Sequence, residues 1–408
     1  MLARGLGGLV SACEGDQGIF AENRNKFGDW KDVDDNGEFY LLVTALANCG
    51  GYSYADLDEL PPWDYKSHKK VNKSNYADLV YIDSASPDDY RQSTAAHEIQ
   101  HAIHHRWDED EVLWVNEGCS TYAEEVNHRG PTVFGSFGGY YEPDLVARAA
   151  KCSLTRFGRG MIWSRFRICP LCMKQEAEGQ GGGPYNEEGY NIFYADYRKV
   201  ALWTSYLDKV VGYQPFKNMS TLVKDTAKGI AGVNNHAPNP VLTAPDGPFV
   251  NWTIANYANR LEYAPPPYAY PDSSPWRAPR GGVTPVEKAI GGDYAWREEL
   301  RDLAADYVKY TGQPPSGASS MAVYIKDVAD WSKVVVSVIL VSSSEEFIEL
   351  VQPSPQTVQG DPGARRYEVD STSFGYAVVV ITNIDAGGAG EGREDDYRTR
   401  YSIKAVWE

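Results

Sequence analysis

The sequence predicts an α+β protein in which helices dominate the first two thirds of the chain and strands dominate the last third. Apolar residues recur at helical spacing in several segments between Ala96 and Arg260, and two strand-like segments precede them. From Ala322 to Val406, short runs rich in valine and isoleucine are separated by turn residues. This second pattern is typical of an antiparallel β-sandwich.

Size and charge limit the classes of function. The chain has 408 residues, which is enough for two or three domains that each bury a core. Its net charge of −17 argues against binding to nucleic acid or to an anionic membrane surface. No apolar run approaches the roughly 20 residues of a membrane-spanning helix, so we expect no membrane span.

Residues 1–28 are predicted to be a flexible N-terminus. The segment Met1–Ala12 holds a short run of leucine, glycine and valine with one arginine. This run is shorter than the apolar part of an ordinary signal peptide. A truncated signal and the remnant of one are the alternatives to a flexible start.

An acidic loop follows at 32–37. Asp32, Asp34 and Asn36 alternate as in the first half of a D-x-D-x-N-G calcium loop, where side-chain oxygens bind Ca²⁺ and a glycine makes the turn. Val43 stands where such a loop has its bidentate glutamate. The sequence therefore favours an ordinary turn, with a Ca²⁺ site as the alternative.

The second strand-like segment, Asn75–Asp83, has two interpretations. As an edge strand beside a helix, it would hydrogen-bond to an extended peptide through its backbone. As an inner strand, it would only support the fold. Both interpretations stay open on sequence alone.

The most informative segment is Ala96–Glu125, which carries a His-Glu-x-x-His pattern at His97, Glu98 and His101. On a helix, residues four apart lie on the same face, so both imidazoles can bind one metal ion. Zinc held by two histidines commonly takes a glutamate as a third ligand. Glu98, next to the first histidine, is placed to accept a proton from the water that a zinc ion activates.

Glu117 is the candidate third ligand. It lies sixteen residues after His101, in a second predicted helix that packs on the first. Ser120 and Glu124, further along that helix, are candidates for orienting a ligand by hydrogen bonding. The alternative interpretation is a surface helix that merely carries several histidines.

These residues resemble the gluzincin metallopeptidases, in which His-Glu-x-x-His is followed by a downstream glutamate, and in particular their hyicolysin-like branch. The resemblance rests on four segments, Asp78–Asp83, Ala95–His101, Trp114–Gly118 and Phe249–Tyr257. It implies a zincin-like catalytic domain, with a mixed sheet and an active-site helix followed by a helical subdomain. It also implies zinc-dependent hydrolysis of a peptide or protein substrate, and with the composition it implies an extracellular or cell-surface location.

The resemblance, together with the change from helical to strand-like spacing of apolar residues, predicts the domain organisation. A zincin-like domain occupies 29–262, with a cysteine-containing insertion at about 129–185. A Pro/Gly-rich linker follows at 263–300, and the β-sandwich occupies 301–408 after a short helical piece around Asp302–Tyr310. The β-sandwich carries no recognisable chemistry, and we expect any cell-surface association to use it.

Peptide hydrolysis also needs a donor that stabilises the oxyanion. The segment Glu188–Val211 is predicted to be a long helix with tyrosines at helical spacing, of which Tyr190 and Tyr194 are the candidate donors. An aromatic stripe at this spacing is more often part of a core, which is the alternative interpretation.

The six cysteines permit three disulfides in a secreted protein. Cys152, Cys169 and Cys172 alternatively form part of a structural zinc knuckle. A fourth ligand for such a knuckle is not evident nearby in the sequence.

The sequence therefore predicts a secreted or surface-associated zinc peptidase, taken to be an endopeptidase. The alternative is a non-catalytic surface or adhesive protein that retains the pair of helices as a scaffold. A scaffold has no need of a base at Glu98, and its presence beside the first histidine favours the enzyme.

Overall fold

The computed structural model describes residues 7–127, 200–210, 227–236, 244–270, 283–385 and 398–408, apart from short gaps at 47–48, 59–62, 65–68, 71–73, 110, 112, 228, 284, 295 and 302. The described residues up to Asp208, together with 227–236, form one compact unit (unit 1), and those from Ala244 onward form another (unit 2). Helices and sheets are both present, which confirms the α+β class.

Unit 1 contains most of the helices. They are α1 (Gly7–Cys13), α2 (Ile19–Phe27), α3 (Ala55–Asp58), α4 (Asp88–Trp107), α5 (Leu113–Val126), α6 (200–209) and α7 (Gly229–His236). The strands of this unit are β1 (Tyr40–Thr44), β2 (Gly51–Ser53), β3 (Trp63–Asp64), β4 (Lys69–Lys70) and β5 (Leu79–Asp83).

A three-stranded mixed sheet supports α4. Its order is β1-β5-β2, with β1 parallel and β2 antiparallel to β5. The strand predicted at Asn75–Asp83 is therefore an inner strand, and its interpretation as a free edge is wrong. Leu79, Val80 and Ile82 are all buried, so side chains on both faces of this inner strand are covered.

The prediction of a flexible N-terminus over 1–28 is wrong where the structure describes it, since α1 and α2 lie there. Ile19 and Phe27 of α2 are completely buried. The Asn23 side-chain amide donates a hydrogen bond of 2.8 Å to the Ala96 carbonyl of α4. These apolar side chains at helical spacing cover α4, and their burial orders the segment.

The helix α4 runs without a break through the His-Glu-x-x-His pattern. It begins directly after Pro87, and Asp88 and Asp89 in its first turn complement the helix dipole. Ile99 and Ile103, one turn apart, are completely buried on the face that packs into unit 1. This burial fixes the rotation of α4 and therefore the direction in which its histidines point.

In its described residues, unit 2 has one α-helix, a short 3₁₀ helix at Trp331–Lys333 and two five-stranded sheets. The elements are α8 (Pro248–Ala258), β6 (Val286–Ala289), β7 (Trp296–Arg301), β8 (Ala304–Thr311), β9 (Met321–Lys326), β10 (Val334–Val341), β11 (Phe347–Val351), β12 (Gln356–Val358), β13 (Asp361–Val369), β14 (Tyr376–Asn383) and β15 (Arg398–Trp407). The sheet orders are β11-β10-β14-β8-β6 and β12-β13-β9-β15-β7. Both sheets contribute side chains to one buried apolar cluster, including Val338, Val379 and Ile325.

The antiparallel character predicted for the C-terminal part is confirmed for every strand pair except one. The exception is β6, which runs parallel to β8. The predicted helical piece at Asp302–Tyr310 is wrong, because β8 occupies 304–311 as an inner strand between β14 and β6. Most side chains of β8 are buried on both faces, which removes the alternation that identifies a strand in sequence.

The predicted boundaries of the zincin-like domain (29–262) and of the linker (263–300) do not match the boundaries of the two compact units. The helix α8 lies in unit 2, where the Tyr307 hydroxyl donates to the Thr253 carbonyl at 2.7 Å. Strands β6 and β7 form at 286–289 and 296–301, inside the stretch assigned to a linker. Because α8 is apolar around most of its circumference, its sequence does not reveal which unit it joins.

The insertion predicted at about 129–185 lies outside the described residues. Among the residues that are described, no helix combines the length and the apolar character that a bilayer crossing requires.

Candidate metal centre

Three side chains from α4 and α5 converge on one point. The Nε2 atoms of His97 and His101 lie 3.1 Å apart, as expected for residues one turn apart on one helix face. The Oε2 atom of Glu117 lies 3.2 Å from His97 Nε2 and 3.5 Å from His101 Nε2. The three atoms thus form a nearly equilateral triangle.

This triangle has the dimensions of a zinc site. Zinc binds histidine nitrogen and carboxylate oxygen at about 2.0–2.1 Å, and tetrahedral angles then separate the ligand atoms by about 3.3 Å. Glu117 Oε2 is buried and has no hydrogen-bond donor. A buried carboxylate oxygen without a donor is costly unless a cation lies next to it. His97, His101 and Glu117 can therefore hold a zinc ion and leave a fourth position open.

Close packing behind Glu117 fixes its position. Gly118 follows it, and a Cβ atom at this position would lie 2.8 Å from Thr204 Oγ1 and 3.3 Å from the Val200 carbonyl of α6. Only glycine permits this approach of α5 to α6. The glycine of the Val-Asn-Glu-Gly element thus has a packing role that sets the depth of Glu117.

The outer nitrogen of His97 is held by a carboxylate. His97 Nδ1 lies 2.9 Å from Glu124 Oε1, and the other oxygen of Glu124 accepts a 2.6 Å hydrogen bond from the Ser93 hydroxyl. A metal-binding histidine usually donates its second ring N–H to such an acceptor, which fixes the tautomer and the ring orientation. His97 therefore presents Nε2 to the metal position.

His101 is oriented in the same way by an amide and a hydroxyl. His101 Nδ1 lies 2.5 Å from Asn116 Oδ1 and 2.9 Å from Ser120 Oγ. Ser120 in turn hydrogen-bonds to Gln100 Oε1. Both imidazoles are thus fixed by partners on α4 and α5 before any metal binds.

The Glu117 carboxylate and the histidine imidazoles shift one another's pKa values. Burial opposes the ionisation of Glu117, but the adjacent imidazoles of His101 and His97 hold the pKa of this carboxyl well below its usual range. Burial also opposes the protonation of His97, yet the adjacent carboxylates of Glu117 and Glu124 raise its pKa well above the usual value. A proton and a metal ion therefore compete for His97, and acid is expected to displace the metal.

Glu98 lies beside the cluster in a different environment. It is 7% exposed, and burial raises its pKa, while the charges of His97 and His101 oppose that shift. Gly51 of β2 packs directly against it, since a Cβ atom on Gly51 would lie 3.2 Å from Glu98 Cγ and 2.5 Å from Thr94 Cγ2. The backbone of β2 therefore runs next to Glu98.

The structure brings together most of the site residues that the sequence singles out. His97, His101 and Glu117 form the cluster, while Ser120 and Glu124 contact the histidines. Three further residues that the sequence does not single out also support the site, namely Ser93, Gln100 and Asn116. Asn116 could have been considered as a polar side chain directly before the predicted ligand, since a metal-binding histidine usually needs an acceptor for its second ring N–H.

The remaining predicted residues are the candidate oxyanion donors, the cysteines and the acidic loop. Tyr190 and Tyr194 lie outside the described residues, as do Cys152, Cys169 and Cys172. Cys49 and Cys119 are buried and take part in no disulfide within the described part of the chain, so they do not support the three-disulfide pattern. Asp32 and Asp34 lie close together with Asp78, which is distant from them in the sequence.

Comparisons with known proteins add no assignment. No protein-family model matches the chain, and no curated protein matches it. Among solved structures, the chain is similar to the pre-peptidase C-terminal domain of a collagenase from Bacillus anthracis. The match has 8% sequence identity and a TM-score of 0.20, and it covers 30% of this chain and 94% of that chain. At this TM-score the likeness supports no conclusion about the activity of the chain.

Proposed function

We propose that this protein is a zinc-dependent peptidase with a zincin-like catalytic unit. The observation that carries this proposal is the triangle of His97 Nε2, His101 Nε2 and Glu117 Oε2, with sides of 3.1–3.5 Å. These side chains would hold the metal, which when bound polarises a carbonyl and makes water more acidic. Glu98 is the base in this arrangement.

Glu98 performs the proton transfers of hydrolysis. Its carboxylate accepts a proton from the attacking water and then gives it to the nitrogen of the departing amine, so that no net proton is gained or lost by the protein. Burial and a raised pKa suit both steps, because a stronger base accepts the first proton and still releases it to an amine. Tyr190 and Tyr194 remain predictions for the oxyanion donor.

The edge of the sheet supports a peptide as the class of substrate. In the described residues, β2 pairs with β5 on one side and has no strand on the other. An extended peptide can add to such an edge through backbone hydrogen bonds. Because Gly51 of β2 packs against Glu98, a peptide paired with this edge would pass close to the base. An extracellular or cell-surface location is proposed from the class of enzyme.

Replacing Glu124 by glutamine is expected to weaken zinc binding by about 10- to 100-fold, the usual effect of losing a partner that orients a metal-binding histidine. The amide cannot act as the anionic acceptor that His97 Nδ1 faces at 2.9 Å. Competition with a chromophoric chelator measures the affinity. Glu125→Gln is the matched control, because it makes the same chemical change at the next position of α5, where the carboxylate accepts a 3.4 Å hydrogen bond from the Ser205 hydroxyl. Equal affinities for the two variants would contradict the role of Glu124.

The pH dependence of peptide cleavage is expected to reflect the raised pKa of Glu98. As the pH falls through this pKa, Glu98 gains a proton and can no longer accept one from water. The acid limb of kcat/KM should therefore lie above 4.5, the ordinary glutamate value. Zinc content measured at each pH separates this effect from metal loss. An acid limb at or below that value, with zinc still bound, would contradict the assignment.

A further inference from the structure

A second cluster of carboxylates lies where the parallel strands β1 and β5 begin, in the three-stranded sheet of unit 1. Asp32 and Asp34 are in the loop before β1, and Asp78 directly precedes β5, yet oxygens of all three lie within 4.8 Å of one another. Strands β1 and β5 are parallel, and the Tyr40 amide donates a 2.9 Å hydrogen bond to the Asp78 carbonyl. This pairing brings the loop and Asp78 to the same place.

Two of the oxygens in this cluster are buried without a hydrogen-bond donor. Asp78 is 2% exposed, and while its Oδ1 atom accepts a 3.4 Å hydrogen bond from the Val33 amide, its Oδ2 atom has no partner. The Oδ1 atom of Asp34 is likewise inaccessible to solvent and without a partner. A buried carboxylate oxygen in this state costs free energy unless a cation binds to it.

Charge repulsion adds to this cost. Burial raises the pKa of Asp78, and the negative charges of Asp34 and Asp32 raise it further. Three carboxylates at this separation disfavour one another's ionised forms. A divalent cation bound between them would reverse the sign of this effect, because each ionised carboxylate would then be attracted to the cation.

We propose that Asp32, Asp34 and Asp78 form a Ca²⁺ site that links the loop before β1 to the start of β5. Calcium takes oxygen ligands at about 2.3–2.6 Å, so two ligand oxygens on one ion are at most about 5 Å apart, as these are. Asp78 supplies the carboxylate that the loop sequence lacks at Val43. The site is separate from the histidine cluster and goes beyond the proposed peptidase activity.

The set of ligands differs from the one expected from the loop sequence alone. The Asn36 amide nitrogen donates to Asp34 Oδ2 and to the Tyr40 hydroxyl, each at 2.8 Å. Its oxygen accepts a hydrogen bond of 2.6 Å from the Glu38 amide. Asn36 therefore shapes the turn and positions Asp34, and it is not assigned as a ligand.

Thermal unfolding of the zinc-loaded protein, with all 408 residues present, in the presence of CaCl₂ tests this proposal. At a Ca²⁺ concentration about 100 times the dissociation constant, the unfolding temperature should rise by about 3 °C or more relative to NaCl of the same ionic strength. Asp78→Asn should abolish this rise. Without calcium, this variant should unfold at or above the wild-type temperature, because it removes a repelling charge and keeps an oxygen for the Val33 amide.

Asp35→Asn is the matched control, since Asp35 lies in the same loop but outside the cluster. Its φ of 57° is one that asparagine adopts readily, so this variant should keep the full calcium response. Asp34→Asn provides a second test if Asp78→Asn fails to fold, and it should lose most of the response. A wild-type protein without a calcium response, or an equal response in Asp78→Asn or Asp34→Asn, would overturn the proposal.

Discussion

Replacing Glu98 by glutamine is expected to lower kcat/KM for peptide cleavage by about 10³-fold while zinc stays bound. Glutamine has the size and shape of glutamate but cannot accept the proton of the attacking water, and general-base catalysis contributes about 10²- to 10⁴-fold. Because Glu98 is not one of the three converging ligands, the zinc affinity should change little. A library of fluorescence-quenched peptides identifies a cleaved peptide, on which the two proteins are compared together with their zinc contents.

The matched control is Glu349→Gln, which makes the same chemical change at an exposed position on β11 of unit 2. It should cleave the peptide at the wild-type rate. Undiminished cleavage by Glu98→Gln would refute the role of Glu98. A zinc-loaded wild-type protein that cleaves no peptide in a broad library would refute the peptidase proposal and favour the adhesive alternative.

Replacing Glu117 by glutamine is expected to weaken zinc binding by more than about 100-fold, which exceeds the usual effect of losing a supporting partner. The substitution keeps the packing beside Gly118 but removes the only anionic ligand of the triangle. Two imidazoles then remain as strong ligands, and a neutral amide oxygen is a poor third. Competition with a chelator measures the affinity, and peptide cleavage should be lost together with the metal.

The comparison with Glu124→Gln separates a ligand from a supporting residue. Glu124 carries the same charge and lies on the same helix, but it faces His97 Nδ1 on the side away from the metal position. We expect the loss of zinc affinity to be clearly larger for Glu117→Gln than for Glu124→Gln. The reverse order, or unchanged affinity in Glu117→Gln, would show that Glu117 is not the third ligand.

The site could be predicted from sequence wherever its geometry is local. His97 and His101 share a helix face because they are four residues apart, and this spacing determines their Nε2 separation. Spacing alone cannot place Glu117, because its position depends on how α5 packs on α4 and α6 through Gly118. Asp78 could not be connected with Asp34 at all, because parallel pairing of β1 and β5 brings them together across 44 residues of chain.

The errors in the predicted fold have a common physical origin. The local sequence does not reveal the helix α2 or the strand β8, because burial in the fold overrides weak local patterns. Ile19 and Phe27 look unremarkable in a short segment, yet both become completely buried against the rest of unit 1. The strand β8 lacks alternation because one of its faces packs into the apolar cluster shared with the second sheet, while Tyr307 on the other face contacts α8.

The central claim is that one zinc ion binds between α4 and α5, and anomalous X-ray diffraction at the zinc absorption edge tests it most directly. In a crystal of the zinc-loaded protein, we expect one anomalous peak about 2.0–2.1 Å from His97 Nε2, His101 Nε2 and Glu117 Oε2. No peak between the two imidazoles, or a peak there with Glu117 turned away from it, would contradict the account.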